Sequence, residues 1–464
     1  MSLLIILIFT IGYLAIVFEH PLKLDKTVPA LLMAALAWAA LALGFHQGGL
    51  SVIDSHDHVF SFLGGHGETE ANEGFKNALL HHLGKTAEIL VFLIGAMTIV
   101  EIIDLHKGFS VLKSYVKTGN KKKLLWIVGG LGFILSAIID NLTATIVLVT
   151  LLRKIVPDKT ERLWFVAMIV IAANAGGAWS PIGDVTTTML WIGNKVSASG
   201  LIEYLVIPSI VCFVIPFFIA SLIPIFKGNI KVNPEETNQE DDNKLLSSSR
   251  MLILGLGMVV FVPIFKMITG LPPYVGMMLS MGVVWLVSEY IHPEEDFTNE
   301  RREMYSTHHA LSRIEFSSIL FFLGILMAVG ALESLVFGTV MRGGEEIQVG
   351  TLRYVAELLD GAIPNQNIVV LLLGVASAII DNVPLVAASM GMYDQPIDSS
   401  LWHFIAYSAG TGGSMLIIGS AAGVAAMGME NINFIWYLKN IAWLALIGFL
   451  AGAMVFIGIV SIFL

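Results

Sequence analysis

Long apolar runs alternate with short polar intervals from one end of this chain to the other. Ten of the runs, approximately 2 to 18, 28 to 44, 86 to 104, 163 to 193, 203 to 226, 251 to 267, 274 to 291, 314 to 335, 401 to 428 and 440 to 463, predict helices that cross a hydrocarbon layer of roughly 30 Å. Two more, about 123 to 152 and 364 to 392, are equally apolar but carry Asp140-Asn141 and Asp381-Asn382 in their middles. Asp140 is the lone ionisable side chain between Leu124 and Leu152, and Asp381 between Asn365 and Tyr393. A carboxylate at membrane depth costs several kcal/mol unless it faces protein, water or a cation.

Composition agrees with the pattern. Apolar residues make up 56% of 464 positions and charged residues 13%, with a mean hydropathy of +0.80, which places the chain among all-α polytopic membrane proteins rather than soluble domains. The first run is read as a true helix, since it lacks a basic leading region and a small-residue cleavage site and continues into Glu19-His20-Pro21. A lone cysteine, Cys212, allows no internal disulfide. The net charge of -10 argues against a nucleic-acid partner.

The chain repeats itself. Ser136-Ala137-Ile138-Ile139-Asp140-Asn141 returns letter for letter as Ser377-Ala378-Ile379-Ile380-Asp381-Asn382. A shift of 247 lays Leu4 on Met251, Phe18 on Phe265 and Trp38 on Trp285, and a shift of 236 lays Gly176-Gly177 and Ile182-Gly183 on Gly412-Gly413 and Ile418-Gly419. Two repeats follow, 1 to 226 and 251 to 464. Residues 227 to 250, with Glu235-Glu236 and Glu240-Asp241-Asp242, form an acidic cytoplasmic linker between them.

Basic residues orient the repeats. Lys107, Lys113, Lys117, Lys121, Lys122 and Lys123 precede the Asp140 run, and Arg153, Lys154, Lys159 and Arg162 follow it. With both flanks cytoplasmic, that run enters the membrane and returns as a re-entrant hairpin with Asp140-Asn141 near its tip. The second copy has acidic flanks and suits the outside. Threaded this way, all but Lys76, Lys85, Lys195, Lys266, Arg342 and Arg353 of the 26 cationic residues lie inside. Five crossings per repeat make the second repeat inverted and place both termini outside. Inverted repeats with broken helices hold substrate near the midplane at their interface.

Ser136 and Asp140 lie four residues apart, as do Ser377 and Asp381, so hydroxyl and carboxylate share a helical face. Asn141 and Asn382 stand at the expected breaks, where amide oxygens and freed carbonyls suit a hard cation such as Na+ or Li+. For the serines a purely structural reading, hydrogen bonds between helices, stands beside the ligand reading. The run Asn174-Ala175-Gly176-Gly177-Ala178-Trp179-Ser180-Pro181-Ile182-Gly183-Asp184-Val185-Thr186-Thr187-Thr188 breaks a second helix, because irregular backbone at membrane depth is tolerated where it lines a cavity or protein. Its counterpart, Ser408 to Ser420 with Thr411 and Ser414, puts Ser420 where the first repeat has Asp184. No Arg or Lys lies in any of the four stretches, which weighs against an anion held by direct charge pairing. Proton and Na+ then compete for the same carboxylates, Asp140 and Asp381 alternating between them with Asp184 as ligand or relay.

The AGGAWSPIGDVTT core, the two SAIIDN copies and the SAGTGGSMLIIGS stretch together resemble the NhaD-type Na+/H+ antiporters of the ion transporter superfamily, over nearly the whole chain. The resemblance implies exchange of Na+ or Li+ for H+ without a cofactor, a homodimer in the cell membrane, here a bacterial inner membrane, and elevator-like movement of the hairpin-bearing core. It points to Asp140, Asn141, Asn174, Asp184, Thr186, Thr187, Asp381 and Asn382 as site residues. An arsenite or carboxylate carrier of the same fold is the nearest alternative. An intramembrane aspartyl protease is more remote, since such enzymes resemble a Gly-x-Gly-Asp pattern and here Pro181 replaces the first glycine. Two smaller expectations concern the surface: a solvated loop from Phe45 to Lys85 rich in histidine, and a surface helix over residues 339 to 363.

Overall fold

The computed structural model describes the chain apart from residues 55–57, 64–67, 117, 231–244, 292–306, 343–344, 380–381 and 464. In chain order its main elements begin with α1 (Ser2–Val17), α2 (Thr27–His46), the strands β1 (Ser51–Ile53) and β2 (Val59–Ser61), and α3 (Glu68–Leu105). There follow α4 (Lys121–Ile139), α5 (Asn141–Ile155), α6 (Lys159–Gly177), α7 (Val185–Ile192), α8 (Ala198–Ala220), α9 (Ser248–Thr269) and α10 (Pro273–Tyr290). The last third holds α11 (Phe316–Ser334), β3 (Val336–Arg342), β4 (Glu345–Gly350), α12 (Thr351–Ala362), α13 (Gln366–Ala376), α14 (Asn382–Met392), α15 (Ser400–Gly412), α16 (Ala421–Glu430) and α17 (Ala442–Phe463).

Among the described residues seven helices are long and apolar enough to cross a membrane, eight when α12 and α13, which meet at 117°, count as one span. Leu3, Leu7, Ile11 and Leu14 are exposed along one side of α1, an apolar row that suits lipid or another protein rather than water. All ten runs expected to cross coincide with helix, and those at 163 to 193 and 401 to 428 are each two helices separated by a break.

Packing divides the chain into two compact units. One comprises Met1–Leu90, Glu315–Val370 and Val383–Pro396; the other Val91–Ile314, Leu371–Asn382 and Ile397–Leu464. In the first, Gly324 of α11 lets the backbone of α2 approach at Ala30 and Leu31, and Trp38 Nε1 donates to the Met327 carbonyl at 2.8 Å. Two small antiparallel hairpins, β1 with β2 and β3 with β4, belong to this unit.

Those hairpins correct two expectations. The Phe45 to Lys85 segment is a short hairpin followed by the beginning of a 38-residue helix rather than a continuous loop; His56 and His66 lie outside the described residues. Val336–Arg342 and Glu345–Gly350 pair as strands, and helix begins only at Thr351. The β-branched runs of Val336 to Val340 and Ile347 to Val349 favour the pleated, half-buried face of a sheet over the turn-crowded surface of a helix.

In the second unit α4 and α5 pack on each other and on α6. α8 carries Pro208 and Pro216 in its interior. A proline has no N–H for the carbonyl four residues back, and α17 brings Gly448 up against that freed Cys212 carbonyl.

Candidate functional site

Two breaks build the site, and both halves of the chain make them with the same contacts. α6 ends at Gly177 and α7 starts at Val185; α15 ends at Gly412 and α16 starts at Ala421. A methyl on Gly176 would run into the Phe133 backbone, and one on Gly412 into the Gly374 backbone, the matching residue of the other repeat. Ser136 Oγ donates to the Ala173 carbonyl at 2.6 Å, and Ser377 Oγ to the Ala409 carbonyl at 2.9 Å. These serines therefore fasten the first limb of each hairpin to the helix that breaks beside it. Gly183 and Gly419 in turn sit against the backbone at Ser136-Ala137 and at Ala378.

Asp184 is the buried centre of this arrangement. It caps α7, its Oδ1 accepting from the Thr186 N–H and the Thr186 hydroxyl, both at 2.8 Å. Its Oδ2 accepts from Asn141 Nδ2 at 2.7 Å. Asn382 Nδ2 lies 3.4 and 3.5 Å from the two carboxylate oxygens, so the asparagines of both SAIIDN copies converge on one carboxylate. Asn141 Nδ2 also donates to Asn174 Oδ1 at 3.0 Å, and Asn174 Nδ2 donates to Ser420 Oγ at 2.9 Å. Ser420 caps α16 through the Gly423 N–H at 3.2 Å. The N-termini of two half-helices thus point into the site, an arrangement that offers partial positive charge to anions while broken backbone nearby offers carbonyls to cations.

The remaining candidates divide clearly. Asp140 is the other capping carboxylate, accepting from the Thr143 N–H at 2.7 Å and the Thr143 hydroxyl at 2.8 Å at the start of α5. Asp381 lies outside the described residues. Thr187 donates to the Asp184 carbonyl at 2.9 Å, Thr411 to the Tyr407 carbonyl at 2.6 Å and Ser414 to the Thr411 carbonyl at 2.5 Å. These three hydroxyls are buried and committed to main chain. Among the described residues no group of three or more His, Cys, Asp or Glu is gathered as for a tightly held metal, so a cation at Asp184 would take amide and carbonyl oxygens as its other ligands.

Gly410 is a site residue that motif reading passes over. A methyl built on it would lie 3.9 Å from Asp184 Oδ2 and 3.3 Å from Ala178 Cβ. Its missing side chain keeps room beside the carboxylate, a property invisible in a sequence where glycine is frequent.

Helices broken inside an apolar core, with a carboxylate and amides from both halves at the breaks, define a polytopic membrane transporter. The chain belongs to the family described as citrate transporter (CitMHS), whose model matches residues 13–403. It is 42% identical to the sodium/proton antiporter 1 of Arabidopsis thaliana, over 98% of this chain and 72% of that one. It is 30% identical to the Na(+)/H(+) antiporter NhaD of Vibrio parahaemolyticus, over 89% and 94% respectively. The fold is also that of the Alcanivorax borkumensis YdaH transporter, with a TM-score of 0.59 at 14% identity over 94% of this chain and 98% of that one.

Proposed function

We propose that this protein is a secondary active transporter that exchanges Na+ (or Li+) for H+ across the membrane by alternating access. The observation that carries the proposal is the convergence of Asn141 and Asn382, from the two repeats, on the buried Asp184 carboxylate. Such a site offers oxygen ligands of the hard type that alkali cations take. Among the described residues, the side chains whose hydrogen bonds join Asp184, Asn141 and Asn174 are Asn, Thr and Ser, donors and acceptors without a cationic group, which disfavours the anion-carrier reading. The relatives named as sodium/proton antiporters support the same assignment.

In this reading Asp184 is the principal Na+ ligand, with the oxygens of Asn141 and Asn382 in support and Asn174 holding the Asn141 amide. Asp140, and Asp381 by sequence identity, take up protons or Na+ at the hairpin tips. The 1–226 and 251–464 repeats are inverted, both termini are external, and the chain works as a homodimer in the cell membrane. The empty, fully charged site is the costly one to move, and this couples the two ions.

Reconstituted vesicles loaded with a pH-sensitive dye and supplied with 22Na+ test the exchange. Asp184→Asn is expected to lower Na+-driven proton flux roughly 100-fold or more, the scale of losing a charged partner in a buried site. Wild-type exchange in Asp140→Asn, Asp184→Asn and Asp381→Asn alike would sink the assignment.

A further inference from the structure

The hydrogen bonds around Asp184 form a chain with a direction. Gly423 N–H and Asn174 Nδ2 both donate to Ser420 Oγ, Asn141 Nδ2 donates to Asn174 Oδ1, and the same Asn141 amide donates to Asp184 Oδ2. Every member is buried. The polarity seen in the structure turns the N–H side of Asn141 toward the carboxylate.

A cation at Asp184 demands the opposite. It repels the amide N–H groups and attracts oxygen, and an asparagine exchanges one for the other by half a turn of its amide. Turning Asn141 alone would set its Oδ1 against Asn174 Oδ1, two acceptors facing each other in a buried site. Asn174 must therefore turn as well, and its oxygen then faces Ser420. A serine hydroxyl has one donor and two acceptor positions. Ser420 can keep the Gly423 N–H while changing from acceptor to donor toward Asn174, and it is the group in the chain that makes the reversal complete.

We infer that Ser420 is a positioning residue for cation binding: its hydroxyl lets the Asn174 and Asn141 amides reverse together, so that the Asn141 oxygen turns toward a cation at Asp184 while Asn174 donates to it from behind. This rests on the exchange reading and adds to it a reason for the asymmetry between the repeats. An ionised acidic residue in place of Ser420 could only accept, and would hold the Asn174 N–H toward itself and the Asn141 N–H toward Asp184.

The test is Na+-driven proton flux in vesicles at fixed pH for Ser420→Ala, Ser420→Thr and Ser420→Asp. Ser420→Ala should raise the Na+ KM roughly 3- to 10-fold, the scale of one buried neutral hydrogen bond, with the maximal rate within about 2-fold of wild type. Ser420→Thr, which keeps the hydroxyl, should restore the wild-type KM, and Ser420→Asp should raise it most. A wild-type KM in Ser420→Ala, or a KM below wild type in Ser420→Asp, overturns the inference. If the alanine variant does not fold, the Thr and Asp variants decide by the same criteria. Infrared difference spectra on adding Na+ separate this inference from the exchange reading. Side-chain amide bands should shift in the wild type and not in Ser420→Asp, whatever the flux; no Na+-induced amide change in the wild type overturns the inference on its own.

Discussion

Asp140 carries its carboxylate on a backbone that side-chain-bearing residues rarely adopt, with φ 132° and ψ 161°. Such geometry costs of order 1–3 kcal/mol and suits glycine. The residue at that hairpin break is nevertheless an aspartate, which caps α5 through Thr143. Asp140→Gly loses the cap but relieves the strain, whereas Asp140→Ala loses the cap and keeps it. In detergent, thermal unfolding should find Asp140→Gly more stable than Asp140→Ala by about 1–3 kcal/mol, while neither exchanges Na+. Equal stability would mean that the backbone there is not strained. Gly410→Ala probes the opposite face of the site. The methyl fits with a shift of a few tenths of an ångström at Ala178, so the protein should fold and keep its melting temperature. It occupies the room beside Asp184 Oδ2, so the Na+ KM should rise roughly 10-fold, the scale of one misplaced methyl in a fitted pocket.

At the scale of elements, the sequence carried the breaks well. The SAIIDN copies, the Gly-Gly pairs and Asp184 announce themselves because charge and glycine inside apolar runs have few other uses. Strand pairing near Val336 was less legible, since a short amphipathic run beside a helix has no strong period of its own. Also hidden was Glu430, which looks like an ordinary residue at a helix end. It is buried at the end of α16, where Arg153 Nε lies 2.6 Å away and Arg162 Nε 2.9 Å. Arg153 also donates to the Met429 carbonyl. This ties the return limb of the first hairpin and the start of α6 to the second repeat's broken helix. Burial pushes the Glu430 carboxyl upward, but the hydrogen bonds and charges of Arg153 and Arg162 hold it below its ordinary range. A carboxylate so depressed stabilises the fold fully above its unfolded value, about 4.3, and ceases to do so as pH falls through the folded value. Glu430→Gln should therefore cost about 3 kcal/mol at neutral pH. Melting curves of the two proteins should converge as pH drops below about 4; a gap that persists in acid would place the stabilisation elsewhere.

For the whole molecule, the exchange reading makes ion binding and stability one measurement. A ligand that binds the folded chain and not the unfolded one stabilises it by about 2.7 kcal/mol at a hundred times its Kd. Na+ and Li+ should therefore raise the melting temperature of purified protein by a few degrees, and choline at equal ionic strength should not. If protons and Na+ compete for the same carboxylates, the Na+ concentration giving half the rise should increase about tenfold per pH unit over the competing range. Asp184→Asn should abolish the increment. Asp398→Asn, at the N-terminal approach to α15 and bonded to the Ser197 N–H at 2.7 Å, should retain it. A rise independent of pH would leave Na+ bound but uncoupled from the proton. The Asp184 cluster would then be a cation site without exchange, and proton movement would have to be sought at carboxylates away from the two helix breaks.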